Sequence, residues 1–214
     1  MQFFLEHLAV SIAACTGVLA ARGKEVDLFG VIVLALATAF GGGTIRDMLL
    51  GLDVFWIGNT GFLLNVVITA VVTFYLVRYR DLPATVLMVG DAFALALFAM
   101  VGAEKTLGQP VSSAMVIMMG VITGVAGGIL RDLLIGEIPL VFRREIYLYA
   151  TAAFCGCSFF VLVRHWSNNP KLNMIAGVAV ILILRLVGIR WRIALPIFRP
   201  KHSQTSKSQQ APHD

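Results

Sequence analysis

Apolar runs of about twenty residues, each closed by a short polar stretch, recur along most of the chain. A helix that crosses a bilayer needs about 20 mostly apolar residues at about 1.5 Å each. On that rule the pattern predicts seven spans, at 4–21, 28–50, 60–77, 84–101, 111–135, 145–163 and 172–189. The predicted fold is an all-α integral membrane protein, with a transmembrane domain at 1–190. The first span lacks the basic flank and the small-residue cleavage pattern of a signal peptide and carries Glu6 and His7 instead, so it is expected to be a retained helix. The basic tail, 191–214, is rich in Ser, Gln, Lys and His and reads as disordered.

Two of the spans contain a motif foreign to a plain membrane helix. Gly41-Gly42-Gly43-Thr44-Ile45-Arg46-Asp47 lies in the second, and Gly127-Gly128-Ile129-Leu130-Arg131-Asp132 lies in the fifth, 85 residues later. The same shift aligns Gly17 with Gly102, Gly23 with Gly108 and Gly51 with Gly136, without a gap. Residues 4–80 and 84–165 therefore form two repeats, and the seventh span, 172–189, is an addition. Three spans end on the side opposite their start, so the second repeat is inverted, and function is expected at the repeat interface.

Glycine favours leaving a helix, which predicts a kink in the second and fifth spans. Thr44 with Asp47 three residues on resembles a capping box for a second half-helix. The freed carbonyls would attract cations and the freed N–H groups anions. The other reading is that the glycines serve close helix packing, as Gly120-x-x-x-Gly124 does. Neighbouring residues on a helix point about 100° apart, so cross-repeat pairs Arg46–Asp132 and Arg131–Asp47 are expected, with headgroup-level arginines as the alternative. The pairs either line a pore or lock the repeats together. Asp91 is an acid inside the fourth span, either functional or hydrated from outside a shortened helix.

Composition narrows the function. Hydrophobic residues make up 58% of the chain and charged residues 14%, and the mean hydropathy is +0.86, all consistent with a membrane protein. The net charge of +5 comes from short loops and the tail rather than from a basic stripe with interleaved aromatics, so nucleic acid is not an expected partner. Cys15, Cys155 and Cys157 lie in apolar segments, against a disulfide framework or zinc site. No catalytic signature is present, and no cofactor or metal is expected. Arg22, Lys24, Arg78, Arg80, Arg131, Arg143, Arg144 and the basic residues from Arg190 onward fall on one side, against Arg46, Lys105, Arg164 and Lys171 on the other. The positive-inside rule then predicts an external N-terminus and a cytoplasmic C-terminus in the cell inner membrane.

The paired glycine-rich Arg-Asp motifs, with Gly136-Glu137-Ile138-Pro139 after the second, resemble the prokaryotic trimeric intracellular cation (TRIC) channel family, whose bacterial members are also labelled glycine transporters. The resemblance covers about residues 4–190. It implies a homotrimer in membrane lipid, with a hydrophilic pore in each protomer for potassium or other monovalent cations. In that family the second and fifth helices are kinked at glycines and line the path. Here Gly41, Gly42, Gly43 and Thr44, with Gly127, Gly128 and Ile129, occupy those positions. Ala126 stands where the first motif has Gly41, so the fifth helix is expected to bend less. The alternative is a secondary transporter for glycine or a similar small zwitterion, with a structural scaffold as a third reading.

Overall fold

The computed structural model describes residues 2–79, 82–143, 148–167 and 169–191. Among these residues there are seven α-helices: α1 (Gln2–Ala20), α2 (Leu28–Leu49), α3 (Thr60–Arg78), α4 (Ala84–Leu107), α5 (Ser113–Leu134), α6 (Tyr149–Val163) and α7 (Pro170–Trp191). A short 3-10 turn, Leu140–Phe142, precedes α6. The tail predicted to be disordered lies, beyond Trp191, outside the described residues, as do Arg80, Arg144 and Glu145.

Local chemistry sets the helix ends. Asp27, Asn59 and Ser112 stand in extended conformation and accept from the N–H groups of Gly30, Gly61 and Met115, so each caps a helix start. At the other end Gly51 and Gly136 adopt positive φ angles of 65° and 72°. Each lets the chain close its helix with two reversed bonds. In the first repeat these run from Gly51 N–H to Met48 and from Leu52 N–H to Asp47. In the second they run from Gly136 to Leu133 and from Glu137 to Asp132.

Six of the helices are long and apolar enough to cross a membrane, while α6 has 15 residues. The sixth span was expected to start at 145, but the helix starts at Tyr149 and residues 144–147 are outside the description. The fourth span runs six residues further than the hydropathy pattern implied, because Glu104 and Lys105 are in helix rather than loop.

Helices α1, α2 and α3 pack on one another, as do α4, α5 and α6. The α1–α4 and α2–α5 contacts join the two sets, and α7 lies against α4 and α6. The fold is two inverted three-helix repeats plus a seventh helix. Small residues dominate the α1–α4 seam, where Ala9, Ala13, Ala14, Ala92, Ala96, Ala99 and Ala103 are buried. That surface, which the sequence offered as a trimer contact, is consumed inside the protomer. Large apolar side chains point outward instead, among them Leu64, Ile68 and Leu76 of α3 and Ile175 and Ile183 of α7. Lipid is as apolar as a protein core, so exposing them costs nothing there.

The kinks expected at the glycines are not seen as breaks: α2 and α5 are helical throughout. An unbonded backbone group in hydrocarbon costs several kcal/mol, against about 1 kcal/mol for a helical glycine, so the ladder is kept. The glycines are used for contact. A Cβ on Gly42 would stand 2.1 Å from the carbonyl oxygen of Thr123, and one on Gly127 would stand 2.3 Å from that of Thr38. Gly120 and Gly124 serve α4 in the same way, facing the carbonyl oxygens of Ala99 and Leu95.

Candidate functional site

The α2–α5 crossing is antiparallel, since Gly42 meets Thr123 while Thr38 meets Gly127. Thr38 and Thr123 are themselves equivalent under the repeat shift of 85. Their hydroxyls donate to Leu34 O at 2.6 Å and Met119 O at 2.5 Å, which leaves hydroxyl lone pairs free to accept. Between these two helices and α1 and α4 runs a narrow cavity of about 10 Å³. Thr16, Thr38, Thr123 and Asp91 give it polar walls, and Gly42, Gly43, Gly127 and Gly128 line the rest, with apolar residues of α1 and α4. That volume holds about one water. Gly41 and Thr44 lie instead along an outer apolar groove with Phe40, Trp56 and Leu130, and Thr44 Oγ1 accepts from Trp56 Nε1 at 3.0 Å.

The Arg-Asp motifs do not pair across the repeats. Arg46 Nε donates to Asp47 Oδ1 at 2.8 Å, and Arg131 Nε donates to Asp132 Oδ1 at 2.8 Å. About 12 residues of helix, roughly 18 Å, separate the two arginines in the antiparallel register, so the expected crossed pairs are out of reach. Each aspartate uses its second oxygen to hold the chain after its helix. Asp47 Oδ2 accepts from Phe55 N at 3.0 Å and Asp132 Oδ2 accepts from Leu140 N at 2.7 Å. These two bonds are the same bond in the two repeats. A cross-repeat ion pair does exist, but with a different cation: Lys105 Nζ of α4 lies 2.9 Å from Asp47 Oδ1.

Asp91 is buried rather than hydrated, and it is the centre of a charged cluster. Arg131 Nη1 donates to its Oδ1 at 3.0 Å, Tyr149 OH donates to the same oxygen at 3.2 Å, and Arg185 Nη2 lies 3.6 Å from Oδ2. The Arg185 guanidinium also sits 4.4 Å from the centre of the Tyr149 ring. Two carboxylates, Asp91 and Asp132, balance two guanidiniums, so the cluster is neutral in sum. Buried charges persist only when paired in this way.

Arg185, Tyr149, Lys105, Thr38 and Thr123 are site residues that the sequence reading did not name. A lone arginine in an apolar seventh span was signal enough for Arg185. The 85-residue shift pairs the two threonines, but polar residues that bond their own helix give no hydropathy signal. Ile129, the repeat counterpart of Thr44, is half-buried and packs against the cluster around Ala99 and Tyr149.

Comparison with known proteins agrees with this geometry. The family model described as "Glycine transporter" matches residues 3–78 and again 88–165. A UPF0126 membrane protein of Vibrio cholerae serotype O1 is 43% identical over 200 residues, covering 92% of this chain and 83% of that protein. The UPF0126 inner membrane protein YadS of Escherichia coli K12 is 40% identical, covering 92% of this chain and 96% of that protein. Among solved structures, the TRIC trimeric intracellular cation channel orthologue from Rhodobacter sphaeroides superposes with a TM-score of 0.84 at 38% identity, over 89% of this chain and 97% of that one. With duplicated Arg-Asp helix ends, a glycine crossing and matches over most of its length, the chain belongs to the prokaryotic TRIC channel family, the family whose model carries the glycine transporter description.

Proposed function

We propose that this protein is a channel for monovalent cations, chiefly potassium, which works as a homotrimer in the inner membrane with one path in each protomer. The observation that carries the reading is the polar seam at the α2–α5 crossing, where Thr38, Thr123 and the Asp91 carboxylate face one narrow space. Hydroxyl and carboxylate oxygens can replace water around a cation, as other selective pores do. The 38% identity to a TRIC channel over nearly the whole of both chains supports the same assignment. At about 10 Å³ the seam is shut, and the Asp91–Arg131–Arg185 cluster at its wall is a reason why: conduction requires Asp91 to exchange some of its protein partners for a cation. Residues 4–80 and 84–165 act as the two halves flanking this path, with the N-terminus external and the C-terminus cytoplasmic.

The family description favours a second reading, transport of glycine or a similar small zwitterion. The seam is too narrow for glycine as it stands, and the unbroken helices offer no half-helix N-terminus to its carboxylate. Unitary currents in planar bilayers decide between the two. A channel carries potassium in discrete open events and loses them in Thr123→Val. Saturable glycine uptake with counterflow, and no unitary events, would replace the channel by the transporter.

A further inference from the structure

A second cleft opens away from the seam, between α4, α6 and α7. It measures about 220 Å³, many times the roughly 10–15 Å³ that holds one water, and is lined by Glu104, Phe160, Arg164, Ser167, Pro170 and Asn173. Asn173 is almost fully buried and its Nδ2 donates to Ser167 O at 2.9 Å, which fixes the orientation of the amide. Its Oδ1 then has no hydrogen-bond partner in the protein, and neither does the buried Oε2 of Glu104. Two buried acceptors in one cleft are costly unless a donor reaches them. The same cleft presents the Arg164 guanidinium, which forms no ion pair with Glu104 or with any other described carboxylate.

A fixed carboxylate and a fixed guanidinium, held apart in one cleft, oppose a bare ion of either sign. They complement a molecule that carries both charges. We infer that this cleft binds a small α-amino acid zwitterion, its ammonium on Glu104 and Asn173 Oδ1 and its carboxylate on Arg164. Phe160 supplies the apolar wall. The cleft shares only α4 with the seam, so this site goes beyond the cation path and does not depend on it.

Calorimetric titration of the purified full-length protein with glycine tests the site, with methylamine and acetate as single-charge probes. Glycine should bind saturably, and more tightly than either probe. Glu104→Gln should weaken glycine about ten- to hundredfold, the size of a charge-assisted bond. Arg164→Gln, at an exposed position, should weaken glycine and leave methylamine unchanged. Thr123→Val, which lowers potassium current on the channel reading, should leave glycine binding intact, so the two readings fail separately. No saturable glycine binding, binding indifferent to both cleft variants, or methylamine binding as tightly as glycine would each overturn the assignment.

Discussion

Gly127 sits directly under Thr38: a methyl group added to the glycine would stand 2.3 Å from the threonine's carbonyl oxygen, closer than side-chain carbons come to backbone. Gly42 and Thr123 repeat the relationship at 2.1 Å. Gly42→Ala and Gly127→Ala gain about 1 kcal/mol of helix propensity each, but overpacking against a rigid backbone costs about 1–3 kcal/mol. Both variants should unfold at lower temperature in detergent and lose potassium current. Gly58→Ala, where the added carbon meets nothing within 4 Å, is the control. An unchanged melting temperature in Gly42→Ala would show that the crossing has slack.

Asp91 neutralises two buried guanidiniums at once. Asp91→Asn leaves Arg131 and Arg185 facing a neutral amide, and breaking a buried pair costs about 3–5 kcal/mol. Removing one cation with it, as Asp91→Asn with Arg185→Gln, should recover part of that loss. Denaturation midpoints of the four proteins form a double-mutant cycle, and strictly additive losses would rule out the coupling.

On the basic face, Lys24 of the first repeat donates to Glu137 of the second, and Arg143 Nη2 adds a bond at 3.1 Å. The hydrogen bond and charge of Lys24, then the charge of Arg143, hold the Glu137 carboxyl below its usual range. A folded value below the unfolded one means that the clamp stabilises above the unfolded carboxyl pKa and is lost as pH falls through the folded one. The wild type should therefore exceed Glu137→Gln in thermal stability at neutral pH, with the gap closing in acid. Glu137 is exposed, so the gap should be small and shrink with salt. A gap that widened on acidification would contradict the sign.

The basic loops predict a cytoplasmic C-terminus. A C-terminal reporter should be active only in its cytoplasmic form, and activity of the periplasmic form would reverse the assignment.

Much of this architecture was legible because a bilayer imposes it. Span length, the 85-residue repeat and the oddity of Asp91 all follow from which residues tolerate lipid. The glycines misled because Gly41-Gly42-Gly43 looks alike whether it breaks a helix or seats one against Thr123. Local composition carries no term for the neighbour that decides. The crossed Arg-Asp pairs failed for a related reason. Symmetry says that Arg46 and Arg131 are equivalent, but only the register of α2 on α5 says how far apart they stand. Arg185 was readable in principle, as a charge with no business in lipid. Its partners were not, because they come from α4, α5 and α6, far apart in sequence.

Two halves built alike and set upside down present nearly the same embedded surface to both leaflets. Turned over, the molecule would still find Asp132 holding Leu140 where Asp47 had held Phe55. The buried scaffold therefore contributes little to the choice of which way the protein enters the bilayer. That choice falls to a few lysines and arginines in short loops, and a handful of charge reversals there should be enough to insert the same fold the other way up.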